Sequence, residues 1–258
     1  TKLNSTAIGV NAVASGDRSI AIGDTAKSDA LRTIAIGWKA DTSGTDADEA
    51  ITIGVEAVSR GRQSVALGSA TQAIGNQSTA IGNNSIASGN SSIAIGGDDL
   101  NKVSQNASGD WNKSDTALKY KKLTGDELIQ DPVNKKYIPT EAGNAAVAVG
   151  VQSFAKGDLA TTVGTRSSAN AAAAVALGAG TNASKENAVA LGAGSTTATN
   201  ATKVLKATVG TITYGDDTGN AFAGGKAIEA GDQVSIGTAG YERQIKHVAP
   251  GEINASST

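Results

Sequence analysis

The sequence holds no cysteine, no methionine, one histidine and three prolines, and aromatic residues make up only 3% of its 258 positions. Each shortage removes a class of protein. Without cysteine there are no disulfides and no thiolate-held metals, so stability has to come from repetition and assembly. The lone histidine, His247, leaves no histidine-based triad and no multi-histidine metal site. With two Phe, two Trp and four Tyr, a wide core cannot be filled. Apolar burial must then come from many Ala, Val, Ile and Leu side chains in a thin, repeated layer, which predicts a long and narrow molecule.

Charge of one sign is also missing. Lys plus Arg number 22 and Asp plus Glu 24, for a net charge of -2, which lacks the basic footprint of a nucleic-acid binder. No run approaches the roughly 18 apolar residues of a membrane span, and no signal peptide opens the chain. Membrane anchoring is therefore expected only through segments outside this stretch. The chain opens already in repeat register, at Asn4-Ser5-Thr6-Ala7-Ile8-Gly9, and reads as part of something longer.

Glycine, by contrast, is abundant, at 32 residues. It closes a recurring five-residue phrase whose glycines fall at Gly9, Gly23, Gly37, Gly54, Gly68, Gly82 and Gly96, then at Gly150, Gly164, Gly178 and Gly192. Eight of the ten intervals are 14 residues. Within the phrase large aliphatics alternate with small residues, as in Ile20-Ala21-Ile22-Gly23, Ile93-Ala94-Ile95-Gly96 and Val189-Ala190-Leu191-Gly192. Period 2 is the signature of a strand. A second glycine follows seven residues later at Gly16, Gly61, Gly75, Gly89 and Gly157, so each coil is expected to hold two short strands joined by two turns at which glycine supplies a positive φ. Glycine every seven residues amid Ser, Thr and Asn excludes a helix for the repeats. The repeat therefore predicts an all-β parallel solenoid of 14-residue coils.

Two or three large aliphatics per coil supply less free energy than ordering 14 backbones consumes, which points to burial against other subunits. The column of small residues is expected to offer the flat face for that contact, in a rotationally symmetric homo-oligomer.

The Asn-Ser-Val-Ala-Ile-Gly type phrases, over residues 5–96 and 146–192, resemble the YadA-like head of trimeric autotransporter adhesins. The closing stretch from Gly240-Tyr241-Glu242-Arg243 to Thr258 is similar to that family's neck, which leads to a coiled-coil stalk. The resemblance implies a left-handed parallel β-roll in each subunit and three rolls packed side by side as a homotrimer. It further implies extracellular display on the bacterial outer membrane. It also implies adhesion to matrix proteins of the collagen, fibronectin or laminin class or to a host cell-surface receptor, with some members promoting autoaggregation. On this view the chain divides into repeats at 1–96, an insertion at 97–145, repeats at 146–192, an irregular β cap at 193–240 and a neck at 241–258. A stiff spacer within a longer adhesin and a phage tail-fibre segment are the alternatives.

Two breaks in the repeat carry the remaining candidates. Three extra residues between Gly37 and Gly54 bring Asp41, Asp46, Asp48 and Glu49 together, a cluster that reads as a solvated turn or, less simply, as a Ca²⁺ site, although the spacing is not that of an EF-hand. The interval from Gly96 to Gly150 is 54 residues and carries Trp111, Tyr120 and Tyr137 with Lys113, Lys119, Lys121, Lys122, Lys135 and Lys136. Aromatics beside cations on a long insertion suit protein recognition, so Trp111, Lys119, Tyr120, Lys121, Lys122, Lys135, Lys136 and Tyr137 are the candidate ligand-binding residues. The competing reading is that the segment folds down over neighbouring coils and merely braces the trimer, its aromatics covering exposed aliphatics. Beyond Gly192, alternation over Val204–Tyr214 reads as strand, Ala221–Gly225 belongs to the cap, and Gln233-Val234-Ser235-Ile236-Gly237 looks like one late repeat phrase.

Chemistry is not indicated. Asp98 with Asp99 and Asp216 with Asp217 sit beside glycine as in polar turns, and nothing marks a glycosidase pair across a cleft. Gly178-Ala179-Gly180 and Gly192-Ala193-Gly194 fail the dinucleotide and phosphate-loop patterns. The regular Thr ladder of an ice-binding solenoid and the Gly-Gly-x-Gly-x-Asp of a calcium-stapled roll are both absent. No enzyme activity and no cofactor are expected.

Overall fold

A computed structural model describes residues 3–133, 137–216 and 228–249. The chain winds into a parallel β-solenoid. Three-residue strands such as Ile20–Ile22 and Val65–Leu67 stack into a twelve-stranded sheet, and two-residue strands such as Val58–Ser59 and Phe154–Ala155 stack into a narrower one. Neighbours along the long sheet pair at the repeat interval, Ile20 against Ile34 and Val65 against Thr79. Interruptions leave the register intact. Ile34 pairs with Ile51, Ile93 with Val147 and Val189 with Val234, so the late phrase at Gln233–Gly237 supplies one more strand to the long sheet.

The middle residue of each three-residue strand points inward, and Ala21, Ala35, Ala66, Ala94, Ala148 and Ala190 are fully buried. The flanking aliphatics point outward, with Ile93 and Ile95 each 37% exposed and Leu191 45%. The expectation that the small column faces another subunit is thereby corrected. A 14-residue coil is so narrow that only a methyl or a hydroxyl fits between its two sheets. The small residues are the core, and the bulky columns are the face the chain leaves open.

Hydroxyls share the interior, and many of them bond to turn carbonyls of their own coil. In the first half Ser19, Ser64 and Ser92 donate to Gly16, Gly61 and Gly89 at 2.6–2.7 Å. In the second half Ala160, Ala174 and Ala188 take that corner and are buried there. The hydroxyls move to the opposite corner, where Ser167 donates to Gly164 at 2.9 Å and Thr181 to Gly178 at 2.8 Å.

The reading that both corner glycines supply a positive φ holds at one corner only. Gly68 has φ +132°, whereas Gly61 does not adopt a positive φ. Gly61 is required by close approach, since a Cβ there would lie 2.0 Å from the carbonyl oxygen of Gly75 in the next coil. The left-handed residue sits two positions later and is seldom glycine, as at Arg18, Gln63, Gln77 and Leu159. Its cost is offset by a hydrogen bond to the preceding coil, such as Gln77 N–H to the Arg62 carbonyl at 2.7 Å.

Among the described residues helix occurs only in the long insertion, at Asn101–Ser104 and Asp115–Thr124. The second is capped at both ends: the Ser114 hydroxyl accepts from Ala117 N–H at 3.0 Å, and Gly125 at φ 83° returns its N–H to Lys121. The alternating stretch Val204–Tyr214 is a hairpin, Lys206–Val209 antiparallel to Ile212–Gly215. Asp217, the stretch Ala221–Gly225 assigned above to a cap and residues 250–258 assigned to a neck lie outside the described residues.

Candidate functional site

Two surfaces stand out from the uniform coil wall. The first is the outer face of the long sheet, where residues such as Ile20, Ile22, Ile93, Ile95, Val189 and Leu191 form two aliphatic columns running the length of the solenoid. Gly23 and Gly192 follow their strands at the turn, whereas Gly96 lies within the strand Ile93–Gly97, paired with Gly150.

The second is the insertion and the coils beneath it. The insertion folds onto successive coils at one corner. Asp98, at its root, accepts from Asn83 Nδ2 at 2.9 Å and Asn84 Nδ2 at 2.6 Å, while its carbonyl accepts from Gln152 Nε2 at 2.8 Å. Arg166 donates through Nη1 to the Leu128 carbonyl at 3.1 Å and to Gln152 Oε1 at 3.3 Å. The Asp115–Thr124 helix then crosses the Gly180 and Gly194 turns, which lack side chains where Tyr120 and Thr124 lie. Tyr120, Leu128, Ile129, Leu100 and Ala117 make a small core of their own, with Trp111, Val151 and Ala179 packed against it.

The candidate binding residues therefore separate. Tyr120 is buried, and burial raises its pKa above the ordinary phenol value against the opposing pull of Arg166, so it remains a neutral packing group. Trp111 is half-buried against the same core. Lys119, Lys121 and Lys122 lie exposed on the outer side of the helix, Lys121 paired with Glu127. Lys135 and Lys136 lie outside the described residues. Tyr137 stands apart, 54% exposed, on the limb by which the insertion returns to the solenoid. Its phenol oxygen accepts from Asn101 Nδ2 at 2.7 Å, and its backbone forms an antiparallel bridge with Asp99.

That limb stands on the outer face of the narrow sheet and makes a shallow groove of about 750 Å³, lined by Tyr137, Ile138, Pro139, Phe154, Lys156, Ser168 and Asn170. The Lys156 ammonium lies 5.3 Å from the Phe154 ring centroid and 2.7 Å from Glu141 Oε2. Phe154 escapes sequence reasoning because it occupies an ordinary strand position in a repeat phrase. The signal was its ring, at a column position where Gln72, Ile86, Ser168 and Asn182 stand in other coils.

The acidic turn does not form a cation cage. Asp41 accepts from Arg60 Nη2 and from Ser43 N–H, each at 2.7 Å. Burial would raise its pKa, but these bonds outweigh burial and hold it below the ordinary carboxylate value. Asp48 accepts from Leu31 N–H at 3.0 Å, and Glu49 is shared between Arg32 and Gln63. Among the described residues no three metal-binding side chains converge.

The neck-like segment hooks back onto the last coils. Arg243 donates to the Ser195 hydroxyl at 3.1 Å, to the Ile236 carbonyl at 2.9 Å and to the Ala193 carbonyl. The Tyr241 ring sits over Gly125, at the end of the insertion helix. His247 is exposed with φ 59°.

Alanine-cored coils whose ladder register survives both breaks in the 14-residue spacing, with apolar columns turned outward, define a β-roll repeat protein. The YadA head domain repeat (2 copies) model matches residues 1–26, 16–40, 46–71, 73–98, 155–181 and 169–195, together just over half of the chain. The chain belongs to this family, which is one of surface-displayed, adhesin-type heads. Comparison with curated proteins returned no match. No helix among the described residues is long and apolar enough to cross a membrane.

Proposed function

We propose that the chain is the head of a trimeric bacterial surface adhesin, holding three copies of each weak binding surface on a rigid roll that attaches to host matrix proteins or cell surfaces. The observation that carries this reading is the outward aliphatic face of the long sheet. An isolated chain leaves Ile, Val and Leu partly exposed along twelve strands, a far longer apolar stripe than a monomer tolerates. Three such faces meeting about one axis would bury it, and the narrow sheet and insertion would stay in solvent. Attachment then gains from multivalency, since a repetitive ligand engages two or three copies at once.

The test has two parts. Light scattering of the purified head is expected to give three times the chain mass, and a folded monomer at micromolar concentration would overturn the assembly. Solid-phase binding to collagen, fibronectin, laminin and epithelial cells then compares the intact head with one whose residues 99–139 are replaced by a short turn. Binding lost with the insertion places adhesion there, and binding retained places it on the repeats. Binding by neither form would favour a spacer in a longer adhesin.

A further inference from the structure

The groove beside the insertion's return limb holds groups that the fold does not need. Along that outward column Val58, Gln72, Ile86, Glu141, Ser168 and Asn182 serve equally well, and none adds to a core made of alanine. Phe154 is the one aromatic among them in the described residues. A second ring, Tyr137, is brought to the same groove by the insertion and fixed there by Asn101 and by its bridge to Asp99. Next to these rings, the Ser168 hydroxyl and the Asn170 amide make no side-chain hydrogen bond among the described residues. Lys156 is neutralised by Glu141, so the groove carries no net charge from this pair.

The backbone of the floor is already spent. Phe154, Lys156, Ser168 and Asn170 donate their N–H groups to Ser167, Ala169, Thr181 and Ala183 of the next coil, at 2.8–3.3 Å. A peptide therefore cannot add as a strand, and recognition has to use side chains alone. Two partly exposed rings offer apolar faces, and an amide and a hydroxyl offer donors and acceptors. A neutral pyranose presents the complement of this set: a flat C–H face for the rings and a rim of hydroxyls for the polar groups.

We infer that the groove formed by Tyr137, Phe154, Lys156, Ser168 and Asn170 is a binding site for neutral saccharides, of the kind carried on host glycoproteins. The inference rests on the adhesive reading of the head. It assigns the insertion the task of supplying one wall of the site, which Asn101 and Asp99 hold in place. A single site of this shape binds weakly, and three copies on one head raise the avidity for a crowded glycan surface.

The test is saturation-transfer NMR on the intact head with lactose, N-acetyllactosamine and cellobiose as probes and a polyproline peptide as the comparison. Transfer to the sugar ring protons is expected at millimolar sugar. It should fall at least fivefold in Phe154→Ala and in Tyr137→Ala and persist in Phe154→Trp, with urea midpoints unchanged. No transfer to any of the three sugars, transfer indifferent to Phe154→Ala, or transfer to the peptide alone would each overturn the saccharide site. Attachment to matrix proteins measured on the same unsubstituted head separates the two readings. If that head attaches but gives no sugar transfer, the groove proposal fails and the adhesive head stands.

Discussion

Gly180 lies directly beneath Tyr120: a Cβ on Gly180 would sit 2.7 Å from the Tyr120 hydroxyl and 2.9 Å from Thr124 Cγ2. Its φ of +66° is also one that a side chain resists. Gly180→Ala should therefore loosen the Asp115–Thr124 helix from the coils, at a cost of about 2 kcal/mol, while the solenoid below stays wound. Hydrogen exchange is the measurement. Faster exchange confined to the insertion is expected, and exchange that rises equally in the coils would contradict the packing described.

A corner glycine of the long sheet is predicted to matter more. Gly68 combines φ +132° with a Cβ that would lie 1.7 Å from the Gly82 carbonyl oxygen, whereas Gly61 faces only the clash. The sequence already accepts Ala30 and Ala171 at the second corner. Gly68→Ala should cost roughly 3 kcal/mol or more, and Gly61→Ala less, as read from urea midpoints. Equal costs would mean that the backbone angle contributes nothing.

The outward columns give a third expectation. Val65→Asp with Leu67→Asp places charge on the apolar face of one strand and leaves the alanine core, including Ala66, untouched. The head should dissociate to monomers in sedimentation experiments while keeping the β-rich circular dichroism of its coils. A variant that stays trimeric would remove the long sheet from the interface.

Asp41 and Arg60 make stability depend on acid. Burial opposes ionisation of Asp41, but the bonds from Arg60 and Ser43 prevail and its folded pKa is lowered. A lowered carboxylate pKa stabilises fully above the unfolded value of about 3.9 and is lost as pH falls through the folded one. Arg60→Ala should cost about 1 kcal/mol at pH 7, and the gap to the parent protein should close below roughly pH 4. Thermal melts across that range decide it, and a gap that persists in acid would assign the role to packing by the Arg60 stem.

The solenoid was legible because Ile20-Ala21-Ile22-Gly23 and its kin keep register across both breaks. Which way the strand faces was not. Alternation says that Ile20 and Ala21 lie on opposite sides, and the habit of globular cores puts the larger side chain inside. Coil width decides otherwise, and width is a property of the closed turn, invisible in any one phrase. The insertion's helix was written in Ser114-Asp115 and Gly125, a start and a stop around Leu118 to Leu123, yet the aromatic and lysine content drew attention first. The groove was half legible. Tyr137 belongs to a visible break, but Phe154 meets it only because the chain re-enters the ladder at Glu141, one coil before.

That re-entry has a wider consequence. Ile93 and Val147 pair as any two neighbours in the sheet do, although more than fifty residues separate them. The corner after Gly97 thus works as a port: whatever leaves there and returns at Thr140 is invisible to the ladder. A lineage carrying this roll is free to exchange its outboard module without redesigning the shaft that displays it.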